Sequence, residues 1–127
     1  MGAVAILAVG TVGYVLAARQ AVLSLLHHSD FDIHVATDAD GLPLLPTSPR
    51  IHLHLVEVTS EARADPFMAK FTALRRCLDS CTADLVMLVD ADAVAVGPIG
   101  EADLLAGLGG RGLAMAEQPD ILGSDGG

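Results

Sequence analysis

The stretch Leu85-Val86-Met87-Leu88-Val89 is wholly apolar and runs straight into Asp90-Ala91-Asp92. A short apolar run that stops at a carboxylate reads as a central strand, buried on both faces, that delivers a polar group at its carboxyl end. In extended backbone, side chains two residues apart project to the same side, so Asp90 and Asp92 are expected to converge on one cation. Hard oxygen donors of this kind suit Mg2+ or Mn2+ bound together with substrate phosphates. An Asp-x-Asp tripeptide by itself also describes a solvated loop end. The buried strand in front of it favours a site, because open α/β sheets take their ligands at the carboxyl ends of their strands.

Working outward, Ala3 to Val9 is a second apolar run, ending in Gly10, and reads as the first strand. From Tyr14 to His28 the residues Val15, Ala18, Val22, Leu25 and Leu26 recur at helical spacing, which predicts an amphipathic helix packed back on the sheet. Phe31 to Thr37 reads as a strand, Asp38 to Arg50 as a loop punctuated by Gly41, Pro43, Pro46 and Pro49, and Ile51 to Val58 as a third strand. Asp65-Pro66 is a helix start, since the Asp oxygen caps free amides and Pro at the first position gives up no needed donor. Phe67, Phe71, Leu74, Leu78 and Cys81 then make one buried helix face. After Asp92, Ala93 to Val96 reads as a short strand, Glu101 to Leu108 as a short helix, Gly112 to Ala116 as a last strand, and the Gly-rich end as frayed. The order is that of a doubly wound α/β fold, a mostly parallel sheet flanked by helices. We expect one domain over residues 1–127, with an ordered core over 1–118 and a frayed tail over 119–127.

Composition narrows the function classes. Seven basic against sixteen acidic residues give a formal charge of −9, which repels the phosphate backbone that dominates nucleic-acid affinity. The same field would repel a diphosphate unless a divalent cation neutralised the carboxylates, so a phosphate ligand here implies a metal. Met1 to Ala18 carries no charge, yet Gly10, Thr11 and Gly13 divide it into a strand-like and a helix-like piece, and no membrane span is expected. Cys77 and Cys81 have no second pair with which to complete a zinc site and read as reduced thiols.

The segment Pro66-Phe67-Met68-Ala69-Lys70-Phe71-Thr72-Ala73-Leu74-Arg75-Arg76-Cys77-Leu78, continuing to Leu85 through Val96, resembles the lysine-bearing helix and metal-binding strand of GT-A glycosyltransferases, in particular the glycogenin-like and galactomannan galactosyltransferase-like families. Ile6-Leu7-Ala8-Val9-Gly10-Thr11-Val12-Gly13-Tyr14, leading into a helix, is similar to the first strand and base-binding loop of the glycogenin-like group. The resemblance implies a metal-dependent hexosyltransferase that binds a nucleoside diphosphate sugar, a UDP-sugar foremost, and transfers the sugar to an acceptor hydroxyl. By carry-over Thr11 and Tyr14 become base-site residues, Lys70 a phosphate or sugar contact, and Asp90, Ala91 and Asp92 the diphosphate and metal motif with Mn2+ or Mg2+. The loop departs from the group's pattern at Gly10 and Val12, where the group has polar side chains, and the base stays open. Similar proteins continue into an acceptor-binding half that supplies a further metal ligand, so this chain is expected to bind the nucleotide without transferring sugar. With no anchor before the first strand, a cytoplasmic location is expected. The resemblance identifies no catalytic residue, acceptor or stereochemical outcome.

Two alternatives stand beside this reading. Asp38-Ala39-Asp40-Gly41 also follows a strand and resembles the nucleophile motif of haloacid-dehalogenase-like phosphatases, with Asp38 as nucleophile and Asp40 as acid/base. Leu42 stands where the motif has threonine, and a turn before a Pro-rich loop is the plainer account. The other is a non-catalytic α/β binding domain. His52 and His54 share one face of a strand, but two imidazoles without a third ligand nearby read as ordinary strand residues, and His27, His28 and His34 show no recognisable spacing.

Overall fold

A computed structural model describes residues 2–56, 75, 78–79, 81–91 and 93–109. Four strands, β1 (Gly2–Ala8), β2 (Asp32–Thr37), β3 (Ile51–Leu55) and β4 (Leu85–Val89), form one sheet in the order β3-β2-β1-β4. Every neighbouring pair is parallel: Ala3 to Ala8 pairs with Asp32 to Thr37, Gly2 to Ile6 with Leu85 to Val89, and Ile33 to Thr37 with Ile51 to Leu55. Parallel neighbours demand covered crossovers rather than hairpins, and the first is α1 (Val12–His28) between β1 and β2.

Helix α1 begins where the sequence lets it. Gly10 has φ 143°, a conformation open to glycine and strained for any other residue. Thr11 is the N-cap, its Oγ1 accepting from the Tyr14 amide at 3.2 Å. Val15, Ala18, Ala21, Val22 and Leu25 are buried against Val4, Ile6 and Ala8 of β1 and Ile33 and Val35 of β2. Full burial of each Val, Ile or Leu is worth roughly 1.5 to 3 kcal/mol, which makes this face the main source of stability. On the opposite face of the sheet Ala3, Ala5 and Ala36 are fully buried, Ala5 and Ala36 beside Leu7, Val56 and Val86.

Beyond β4 the Ala93 amide donates to the Asp90 carbonyl at 3.0 Å, so the backbone turns between Asp90 and Ala93 instead of running on extended. The expectation that an extended segment carries Asp90 and Asp92 to the same side involves Asp92, which lies outside the described residues. Ala93 to Val96 is likewise no strand: the Ala95 amide donates to Ser24 Oγ at 2.9 Å and the Ile99 amide to the His28 carbonyl at 2.9 Å. The segment descends along the flank of α1, which takes the hydrogen bonds a strand would have given to a neighbour. It leads into α2 (Glu101–Leu108), where Asp103 Oδ2 accepts from the Gly100 amide at 2.8 Å. Helix α2 closes on Gly109 in the left-handed conformation at φ 58°, its amide donating to the Leu105 carbonyl.

Two further expectations change. Among the described residues β4 is an edge strand with Leu88 half-exposed, and β1 and β2 are the interior ones. Arg75, Leu78 and Asp79 are helical, but Leu78 is exposed and Cys81 lies past the helical residues as a partly buried free thiol, so these two do not continue a buried helix face. The expected helix start at Asp65-Pro66, Cys77, the residues at 57 and 58, the last strand over Gly112 to Ala116 and the tail from 119 lie outside the described residues.

Arg50 ties three elements together. Its guanidinium donates to the carbonyls of Leu26 (3.1 Å), Ser29 and Phe31 (3.1 and 3.2 Å), while its own carbonyl accepts from the Ile33 amide at 2.8 Å. The end of a helix leaves carbonyls without intrahelical partners and carries partial negative charge, and a cation there meets both needs. We expect Arg50→Met to cost about 1.5 to 3 kcal/mol in urea denaturation, the range for hydrogen bonds to a charged group. Arg50→Lys should recover less than half, because one ammonium cannot reproduce the planar fork that spans these carbonyls.

Candidate functional site

The chain steps outward from β1 to β2 to β3 and then returns to the far side of β1 for β4. Strand order therefore reverses between β1 and β4, and their carboxyl ends flank the crevice where open α/β sheets take ligands. On one side of it lie Gly10, Thr11 and the amino terminus of α1. On the other, Asp90 follows directly on Val89, whose partner in β1 is Ile6. Asp90 is exposed, whereas Ala91 is 1% exposed and packed into the core, so Ala91 anchors the turn and its side chain is closed to a ligand.

The residues expected around a nucleotide divide into two groups. Thr11, Tyr14 and Asp90 all sit at the carboxyl end of the sheet. Thr11 caps the helix, and Tyr14, in the first turn of α1, is 37% exposed with its ring beside Gly10. Lys70 and Asp92 lie outside the described residues. Asp90 places one exposed carboxylate at a strand end, the class of hard oxygen donor that Mg2+ and Mn2+ take; among the described residues no three ligating side chains gather there.

The β2 end is braced against the β1 end. Thr37, fully buried, donates its hydroxyl to the Ala8 carbonyl at 2.8 Å. A Cβ on Gly41 would collide with Thr37 Oγ1 and come within 3.1 Å of the Ala8 carbonyl, so the loop closes on these strand ends only because position 41 is glycine. Asp38 Oδ1 accepts from the Gly41 amide at 2.9 Å and the Asp38 carbonyl from the Leu42 amide at 3.1 Å. This is the turn chemistry of an Asp-Gly segment, and it accounts for Asp38 and Gly41 without a catalytic role.

A cavity of roughly 550 Å3 opens at the other, amino-terminal end of the sheet, between the end of α1 and the start of α2, lined in part by His28, Phe31, Pro98, Ile99 and Glu101. Its remoteness from the β1/β4 crevice separates it from the Asp90 site, and strand-end topology is the stronger guide to a ligand than cavity size.

The pairing of β2 with β3 also assembles a group that spacing along the chain concealed. His34 pairs in register with His52, one step from His54, on the sheet face away from α1. His34 Nδ1 and His54 Nε2 are 2.9 Å apart, with ring centroids 5.2 Å apart and planes at 21°. Those are the dimensions of two imidazoles joined end to end through one N–H···N hydrogen bond. The His52 ring stacks on His34 at 4.7 Å, and its Nε2 lies 3.7 Å from Asp32 Oδ1. No set of three metal-ligating side chains among the described residues converges on one point as the rings lie.

Burial, reinforced by His52 and His54 and opposed by Asp32, holds the His34 pKa below the ordinary value of 6.5. Between the lowered folded value and 6.5 the unfolded chain binds more protons than the folded one, so in that window stability rises with pH. It is lost as pH falls below about 6.5 and is flat in this group above it. His34→Gln should shallow that acid limb, read as the change in urea midpoint between about pH 5.5 and about pH 7.5. An unaltered slope would assign the limb to other groups.

Comparison of the chain with protein-family models, with curated proteins and with solved structures finds no match. No helix among the described residues is long and apolar enough to cross a membrane.

Proposed function

We propose that this chain binds a nucleoside diphosphate sugar in the crevice between the carboxyl ends of β1 and β4, as the donor-binding part of a metal-dependent glycosyltransferase of GT-A type. The observation that supports it most is the reversal of strand order between β1 and β4, with the start of α1 on one side and Asp90 on the other. A helix amino terminus favours negative charge, and the first turn of α1 holds no acidic side chain that would compete with a phosphate.

In this reading Asp90 and Asp92 hold Mn2+ or Mg2+, which stabilises negative charge on the departing diphosphate. Tyr14 covers the base from the first turn of α1, Thr11 keeps that turn in place, and Lys70 contacts the phosphate or sugar. Ala91, with its side chain buried, can reach the diphosphate only through its backbone. The donor is a UDP-sugar by resemblance to the glycogenin-like group.

Asp90→Ala and Asp92→Ala are each expected to abolish Mn2+-dependent nucleotide binding in calorimetry while leaving the circular dichroism spectrum unchanged. Asp90 is exposed and contributes little packing. Unchanged Mn2+-dependent affinity in both variants would refute the site. Tyr14→Ala should weaken binding by about 1 to 3 kcal/mol, the range for stacking on a base, and Tyr14→Phe should keep most of the affinity. Equal losses in the two variants would point to the hydroxyl instead of the ring.

A further inference from the structure

The face of the sheet away from α1 carries a cluster that the nucleotide reading does not use. His34 on β2 stands opposite a His-x-His pair on β3, in direct register with His52 and one step from His54. Strand side chains at i and i+2, with a third from the adjacent strand, bring three imidazoles together on rigid backbone, where side-chain torsions alone are needed to aim their lone pairs. The ring centroids lie 4.7 and 5.2 Å from that of His34 with the planes at 21°, so the in-plane lone pairs converge once the rings turn about their side-chain torsions.

We propose that His34, His52 and His54 form a binding site for a late-transition divalent cation, Zn2+ first among them, that clamps the edge strand β3 to β2. Imidazole donors select Zn2+, Cu2+ or Ni2+ over Mg2+ and Mn2+, so this site differs in chemistry as well as in place from the carboxylate at Asp90.

In the arrangement described the rings satisfy one another: His34 and His54 hold one proton between them, and His52 turns its Nε2 toward Asp32. Zn–N bonds of about 2.0 to 2.1 Å in tetrahedral geometry set adjacent nitrogens roughly 3.3 Å apart. The cation therefore takes the place of the proton between His34 and His54 and parts their nitrogens by a few tenths of an ångström from the 2.9 Å they have without it. A neutral imidazole has one lone pair and one N–H, so the ring that donates into the His34–His54 pair moves that proton to its other nitrogen by exchange with solvent as the cation enters; each ring then offers a lone pair and no ring has to ionise. His52 Nε2 lies 3.7 Å from Asp32 Oδ1; a small turn of the ring would let the carboxylate accept from Nε2–H, as is common around zinc-bound histidines, and leave Nδ1 for the metal. The half-exposed His52 opens the cluster to solvent.

The test is calorimetric titration of the full chain with Zn2+ near neutral pH, repeated with Mn2+, on wild type and on His52→Ala, His54→Ala, Asp32→Asn and Asp90→Asn. Wild type should bind one Zn2+ and melt at a higher temperature in its presence, since the cation binds the folded state. His52→Ala, at an exposed edge position that leaves the fold intact, and His54→Ala should each lose at least about tenfold in Zn2+ affinity, and Asp32→Asn a comparable amount. Asp90→Asn should leave the Zn2+ isotherm unchanged while altering only the response to Mn2+, so failure of either site is visible independently of the other. No Zn2+ binding by the wild type would overturn the proposal. So would Zn2+ binding that survives both His52→Ala and His54→Ala, or that is lost only on replacing the neighbouring pair His27 and His28.

Discussion

Strand β1 is hydrogen-bonded along both edges and buried on both faces, and the rest of the fold is arranged around that condition. A strand in this position cannot alternate polar and apolar residues, and Gly2 to Ala8 carries no polar side chain at all. Its two faces are unequal. Val4 and Ile6 point to the side covered by α1, while Ala3 and Ala5 face the other side with small side chains. Helix α1 has to return along the sheet because β2 is parallel to β1, and that return sets its amino terminus at the carboxyl ends of the strands. The crevice between β1 and β4 is thus a product of topology, formed before any functional side chain is considered.

The ends of the elements are held by a few polar contacts whose energies are modest one at a time. At the amino end of the sheet the Arg50 guanidinium serves carbonyls of α1 and of the approach to β2, and at the carboxyl end Thr37 binds the Ala8 carbonyl while Gly41 closes over both. Apolar burial decides that the layers associate, and these contacts decide where the strand ends stop relative to one another. A carbonyl left unpaired in such a place costs about 1 to 3 kcal/mol, a sizeable fraction of a small domain's stability. The segment from Ala93 to Ile99 follows the same principle, since its amides find partners on α1 instead of in the sheet.

Where the residues are strongly patterned, sequence and structure agree closely. The strand at Leu85 to Val89 and the helix at Glu101 to Leu108 have the expected bounds, and α1 buries the face its periodicity indicated. The departures share a physical cause, which is that apolar character says a segment is buried without saying against what. Ala93 to Val96 is apolar enough for a strand, but no strand edge is offered to it and a helix flank is. His34 escaped notice because its partners lie eighteen and twenty positions away, and only the β2/β3 register brings them together. At the carboxyl end of the sheet, the placement of Thr11, Tyr14 and Asp90 beside strand ends was legible from the apolar runs that precede them. That Ala91 is a packing residue was not, since burial depends on the layer beneath it.

Magnitudes also indicate how a ligand in the β1/β4 crevice would be controlled. The amino terminus of α1 offers an anion about half a unit of positive charge, worth 0.3 to roughly 1 kcal/mol at an exposed site. Against it stands the Asp90 carboxylate, within a chain whose formal charge is −9. Two like charges about 4 Å apart near a protein surface repel by about 4 kcal/mol, which exceeds what the helix supplies. A diphosphate would therefore be rejected from this crevice in the absence of a cation. With a divalent ion beside Asp90 the sign of the local field inverts, and the helix terminus and the metal then attract the same anion from opposite sides. Affinity for a phosphorylated ligand is on this account set by the metal's occupancy, and the acidic character of the chain, which would otherwise argue against such a ligand, becomes the means of making its binding conditional.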